Sequence, residues 1–311
     1  MTICPITLNS HDESGLYSRQ GLREVHPQLS SLDPLAFTAE EQLREARRRA
    51  DKMSIQGVQP KLSAILSPGR GRFEIVDRYG KFILKPNPPQ FEEVPANEAL
   101  TMRMARAVGI KVPAHGLLAS IDGGWIYFVK RFDREGRSGR IHLEDFAQLS
   151  GATRETKYDS SLEQVVTLVE RFCSFPALEK PKLAKRLLFC YLTGNEDMHL
   201  KNFSLIVHDS VVQLSPAYDL LNTTLVLENA REESALPMKG KKKDLSRKLW
   251  TDYLLRERMG LREGQVTKLL GELAAALPKW RAMVEACYLS DARKQQYLDI
   301  LQDRCERLQL R

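Results

Sequence analysis

The sequence predicts an α+β fold in two lobes, β-rich over residues 1–134 and α-helical over 135–311. Three observations carry this. Short apolar runs separated by Gly-containing turns fill the stretch from Met53 to Lys85, and a further β-hairpin pattern covers Gly116–Arg131. Amphipathic segments of helical period dominate after residue 135. The chain has 311 residues, 42% of them hydrophobic, which is enough for one large two-lobed domain.

The elements follow in order. Residues 1–35 are polar and irregular, with no periodicity. Thr38-Ala-Glu-Glu41 is a capping-box pattern that opens a helix over residues 38–50. Leu62–Leu66, Arg72–Asp77 and Lys81–Lys85 are β-like runs, split by Pro68-Gly69 and Tyr79-Gly80, and read as an antiparallel meander. Residues 96–108 return to helix and end at Gly109. Gly116–Ile121 and Trp125–Arg131 form a hairpin about Asp122-Gly123-Gly124. In the second lobe, Leu162–Cys173, Pro181–Leu192 (Pro at its start), Lys248–Met259, Glu263–Ala276, Lys279–Tyr288 and Ala292–Leu308 read as helices. Phe203–His208 and Val211–Leu214 read as two strands joined by a tight Asp-Ser turn.

Composition excludes several classes. No apolar run approaches the roughly 18 residues of a membrane span, and Met1-Thr-Ile-Cys-Pro-Ile has no cation ahead of an apolar stretch, so a cytoplasmic protein is expected. None of the five cysteines falls in a C-x-x-C pair, which argues against zinc and against a disulfide framework. The net charge of +7 suits nucleic acid, an acidic protein or nucleotide phosphates. The Lys239–Lys243 cluster reads first as a solvated loop.

The chemistry concentrates in Gly194-Asn-Glu-Asp197-Met-His199-Leu-Lys201-Asn202. Asp197 and Asn202 have the D-x-x-x-x-N spacing of a kinase catalytic loop. There the Asp accepts a hydroxyl proton and the Asn holds Mg²⁺. His199 is read as shaping this loop, and Lys201 is counted with it. Asp219 follows the second strand, where a kinase puts a metal-binding carboxylate. Lys85 ends a strand and could meet ATP phosphates, with Glu98 on the next helix as its partner. Ser54-Ile55-Gln56-Gly57-Val58 precedes a strand as a loop with one glycine. Each residue has a plainer reading: Lys85 as a snorkelling strand end, Glu98 as a helix-dipole residue, Asp219 as a cap for a helix at Leu220. Their order along the chain favours the kinase reading.

At these residues the chain resembles the HipA family of bacterial kinase toxins. The carrying motifs are Ser54-Ile-Gln-Gly-Val-Gln-Pro-Lys61-Leu, Phe82-Ile-Leu-Lys85-Pro, Asn97-Glu98, Lys130-Arg-Phe-Asp-Arg134, Gly194 to Ser204 and Pro216-Ala-Tyr-Asp219. The resemblance implies a bilobal protein-kinase-like fold that uses ATP and Mg²⁺. Asp197 would be the base, Asn202 and Asp219 the metal ligands, and Lys85 the phosphate holder. The Lys130–Phe132 backbone would be the hinge near adenine, and Ser54 the autophosphorylated serine. The glycine loop arrives early, so an N-terminal subdomain of the classical proteins is expected to be missing, as in the shorter HipT toxins. For those the resemblance implies a HipS-like protein and a HipB-like DNA-binding protein as partners, with DNA reached only through HipB. It also implies an aminoacyl-tRNA synthetase as substrate, tryptophanyl favoured. Gln56 leaves Ser54 as the one serine of that motif. The rival readings are a small-molecule kinase and a non-catalytic subunit of a DNA-binding repressor complex.

Overall fold

The computed structural model describes residues 1–49, 59–136, 138–227 and 232–310. The chain divides into two units: Met1–Arg103 with Pro113–Gly139 and Ala282–Ser290, and Met104–Val112 with Arg140–Arg281 and Asp291–Arg311.

The first unit begins with elements that its polar sequence hides. Strands Thr2–Ile3 (β1) and Ser10–His11 (β2) pair antiparallel, and helix Arg19–Val25 (α1) is capped by Ser18, whose hydroxyl accepts from Gly21 N. Helix Ala39–Arg49 (α2) has both arms of the expected capping box. Thr38 N donates to Glu41 Oε2 at 2.8 Å, and Glu41 N donates to Thr38 Oγ1 at 3.3 Å. Strands Leu62–Ser67 (β3), Arg72–Ile75 (β4), Phe82–Lys85 (β5), His115–Ala119 (β6) and Trp125–Lys130 (β7) form an antiparallel sheet in the order β4-β3-β5-β7-β6.

That order corrects the expected meander, because β3 lies between its two successors. Val76 N donates to Ser63 O and Lys81 N to Ala64 O, both at 2.9 Å, so the β4–β5 connection turns back across β3 itself. Gly80 permits the crossing, since a Cβ there would overlap the Ser63 hydroxyl. Side chains alternate along the strands. One face carries Leu62, Ala64, Phe82, Leu84 and Phe128 into a buried cluster, where Phe73 meets Phe82 at 5.0 Å and Phe128 at 5.4 Å. Each ring contributes about 2–3 kcal/mol by burial. Lys85 and Tyr127 are register partners and project from the opposite face. Helix Val94–Ala107 (α3) follows, and the two-residue strands Arg134–Glu135 (β8) and Gly139–Arg140 (β9) come after the sheet.

In the second unit, strand Leu143–Asp145 (β10) was not legible in advance. It pairs with Ser204–His208 (β11), which pairs with Val211–Leu214 (β12), all antiparallel. Asp209 and Ser210 join β11 to β12 with φ of 48° and 63°, the geometry of a type I′ turn. Helix Phe146–Ser150 (α4) starts from a full capping box on Asp145. Helices Leu162–Phe172 (α5) and Pro176–Leu192 (α6) follow. The start of α6 is therefore Pro176 rather than Pro181, which lies inside the helix.

Residues Leu249–Arg258 are π-helical, and Met259 N bonds back to Leu254 O. The two helices expected over 263–288 are one, Glu263–Ala286 (α7), running through Pro278. Proline removes a single backbone bond. Trp280, two residues on, is fully buried, lies 5.4 Å from the Phe189 ring and donates to Met104 O at 2.9 Å. Packing of that kind outweighs the helix penalty of about 3 kcal/mol. Asp291–Leu308 (α8) closes the chain. Among the described residues no helix is long and apolar enough to cross a membrane, and all five cysteines are free and buried.

Candidate active site

In the first unit, strand alternation carries Lys85 off the cluster face to Glu98 on the second turn of α3. The ammonium lies 2.6 Å from Glu98 Oε1 and 5.4 Å from the Tyr127 ring centroid. The two side chains are 3% and 1% exposed, so the pair is shielded from solvent. Lys130 ends β7 and is exposed; its N–H donates to Ala114 O. Phe132 is half-buried within a segment braced by the paired Arg131 and Asp133 side chains and by Arg131 N donating to Lys81 O. Ser54, Ile55, Gln56, Gly57 and Val58 lie outside the described residues.

In the second unit, α6 ends at Leu192 and Gly194 takes φ of 65°, turning the chain into the loop that carries Asp197 and Asn202. A Cβ on Gly194 would crowd Asn222 Oδ1 at 2.8 Å, and its carbonyl accepts from Thr224 N at 3.0 Å. Asn195, which the sequence reading passed over, ties two parts of the site together. Its Oδ1 accepts from Asp197 N at 3.1 Å, and its Nδ2 lies 3.5 Å from Asp219 O. Asn202 Nδ2 donates to Asp197 O at 2.8 Å, so Asp197 and Asn202 are locked in one short loop. The Asp197 side chain remains 45% exposed.

His199 is buried, and burial holds its imidazole below the usual pKa, with the Lys157 ammonium acting the same way and Asp197 opposing. Lys157 Nζ sits 2.7 Å from His199 Nε2. An ammonium only donates, so Nε2 accepts and the ring proton belongs on Nδ1. Lys201 Nζ is 3.2 Å from Asp145 Oδ2, the carboxylate that also caps α4. That pairing ties the loop to the start of a helix.

Asp219 adopts a left-handed backbone, φ of 53°, and its carbonyl lies 3.5 Å from Asn195 Nδ2, beside the same loop. Before it, Tyr218 Oη donates to Lys201 O at 2.9 Å and accepts from the Ser204 hydroxyl. The Arg186 guanidinium is buried and donates to Ser215 O at 2.6 Å. The donor set fits Mg²⁺. Asn202 spends its NH₂ on Asp197 O, which leaves its amide oxygen, and Asp219 offers a carboxylate, both hard oxygen ligands. Among the described residues no three His, Cys, Asp or Glu side chains converge as a metal cage, so such an ion would draw on water and phosphate oxygens. The structure thus brings Asp197, His199, Lys201, Asn202 and Asp219 to one loop cluster, and pairs Lys85 with Glu98 in the other unit.

Residues 53–281 match the family model described as the HipA-like C-terminal domain. The candidate kinase Y4dM of Sinorhizobium fredii is 36% identical over 67% of this chain and 54% of its own length. The serine/threonine-protein kinase toxin HipA of Shewanella oneidensis is 27% identical over 56% of this chain and 44% of its own length. The chain thus spans about half the length of these relatives. Among solved structures, Shewanella oneidensis HipA in complex with HipB and operator DNA superposes with a TM-score of 0.69 at 23% identity, covering 89% of this chain and 73% of that one. The Helicobacter pylori proinflammatory kinase CtkA gives 0.61 at 16% identity, covering 83% and 91%. The fold is therefore kinase-like, of the HipA type.

Proposed function

We propose that this chain, which belongs to the HipA-like family by its match over residues 53–281, is an ATP- and Mg²⁺-dependent serine/threonine protein kinase that acts as a toxin. The observation that carries the reading is the loop in which Asn202 Nδ2 grips Asp197 O while the Asp197 carboxylate stays exposed. Bound Mg-ATP supplies the transferable phosphoryl group and the charge neutralisation that phosphoryl transfer needs. Asp197 orients the acceptor hydroxyl and takes its proton. Asn202 and Asp219 hold the metal ion through oxygen. Lys85, its charge preserved by Glu98, meets phosphate oxygens, and the Lys130–Phe132 backbone meets adenine.

The finer reading concerns regulation and partners. Ser54 is the autophosphorylated serine, and the chain is of the HipT type. It works in the cytoplasm with HipS-like and HipB-like partners, reaching DNA only through the latter. Its substrate is an aminoacyl-tRNA synthetase, tryptophanyl first among them, and the consequence is arrested translation. Support for an antitoxin partner is that the HipA structure it resembles contains HipB and operator DNA.

The test is intact mass after incubation with Mg-ATP, beside an Asp197→Asn variant. One added phosphoryl group on Ser54 is expected. In the variant the rate falls by about 10²–10⁴-fold, the usual contribution of a general base. Undiminished gain in Asp197→Asn would refute the assignment of the base.

A further inference from the structure

We infer that Tyr158 is a positioning residue for Asp197, holding one carboxylate oxygen so that the other is presented to the acceptor hydroxyl. This rests on the reading of Asp197 as the base. Tyr158 Oη lies 2.5 Å from Asp197 Oδ1, 39 residues away in sequence. A half-exposed carboxylate on a loop has little to select one orientation. A short hydrogen bond from a phenol selects it.

The tyrosine is itself held in place. Its ring stands edge-on to His199, centroids 5.0 Å apart at 87°. The Lys157 ammonium lies 4.9 Å from its centroid while reaching His199 Nε2. The backbone joins in, since Leu200 N donates to Lys157 O at 3.2 Å. A compact turn supports the pair: Asp159 N donates to Thr156 O and Ser160 N to Tyr158 O, each at 2.9 Å. The segment before α5 therefore clasps the catalytic loop by main chain, cation, ring edge and hydroxyl together. Desolvation, with Asp197 adding to it, raises the phenol pKa above its ordinary value, so the group stays a donor across the working pH range. A role in bare packing would need only the ring. The hydroxyl aimed at the reacting carboxylate is what packing leaves unexplained.

The test uses the full chain as wild type, Tyr158→Phe and Asp197→Asn. Phenylalanine keeps the ring against His199 and under Lys157 and removes only the donor. The rate of phosphoryl transfer is followed against ATP concentration, both as the protein's own mass gain and as labelled phosphate passed to a heat-treated lysate protein pool. Expected for Tyr158→Phe is a maximal rate lowered by about 10–100-fold, the scale of a misplaced catalytic group. The half-saturating ATP concentration should stay within about twofold and Tm within about 2 °C of wild type, as befits loss of one exposed polar atom. An unchanged maximal rate overturns the inference. So does a faster one, which would make the hydroxyl a competitor for the base. So does a fall matched by weaker ATP saturation and a lower Tm, which would make Tyr158 a structural strut. Wild type that transfers no phosphoryl group to either acceptor, like Asp197→Asn, defeats the kinase reading itself, and this inference with it.

Discussion

The Lys85–Glu98 pair offers the sharpest separation of stability from function. Both side chains are nearly inaccessible, and their charges are 2.6 Å apart. Replacing Glu98 with Leu takes away the carboxylate 2.6 Å from a buried ammonium. Removing one partner of such a pair costs about 3–5 kcal/mol, because the remaining charge keeps its desolvation penalty and loses its compensation. For a unit of this size that corresponds to about 10 °C in Tm. Lys85→Met should cost a similar amount by taking the ammonium from the buried carboxylate. The double variant Lys85→Met/Glu98→Leu replaces the pair with apolar groups of like volume, which is often neutral or stabilising. It should therefore recover most of the lost Tm. Nucleotide affinity should not recover, since the cation proposed to meet phosphate oxygens is gone in the double variant too. Thermal melts and ATP titration on all four proteins complete the cycle. A double variant no more stable than the worse single, or a cost for Glu98→Leu below about 1 kcal/mol, would refute the argument, because the charges would then not be interdependent and dry.

Two further outcomes are expected. Asp209 and Ser210 both pay a left-handed backbone penalty that Asn-Gly would relieve, so Asp209→Asn/Ser210→Gly should raise stability by about 1 kcal/mol in urea unfolding. Glu233 is buried, which alone would raise its pKa, but the Leu245 N–H and the Arg304 and Arg307 guanidinium groups more than offset this and hold the carboxyl below its usual range. Its stabilising contribution is full above about pH 4.3, the unfolded value, and is lost as pH falls through the folded value. Glu233→Gln should therefore melt below wild type at pH 6 and converge with it as the pH is lowered towards about 3.

What could be read in advance was local. The capping box at Thr38 and Glu41 is spelled out in four residues, and the Asp209-Ser210 turn is bounded by two apolar runs, so each was legible without knowing a neighbour. Asp197 and Asn202 likewise belong to one loop, which fixes their relation. The rest depends on partners far along the chain. Whether β3 sits at an edge or in the middle is decided by two backbone bonds at Ser63 and Ala64. The continuity of α7 through Pro278 is decided by where Trp280 packs. Lys157 and Tyr158 sit in an unremarkable polar stretch, and nothing there announces the carboxylate and imidazole they meet. Asn195 did carry a signal, an Asn-x-Asp able to form an Asx turn, within a motif read only for its later residues.

Asp219 answers to two demands that few residue types can meet together. Its backbone is left-handed, which among side chains with a Cβ is eased mainly for Asn and Asp. Its proposed task needs an anionic oxygen. Asparagine keeps the first and forfeits the second; glutamate does the reverse; glycine frees the chain and offers no ligand. Mutational drift at this site thus has no neutral neighbour to step to. Any lineage that loses the aspartate must either abandon the metal or rebuild the turn, and a sequence in which the position has become asparagine with the turn intact would mark a chain kept for its shape after its chemistry was given up.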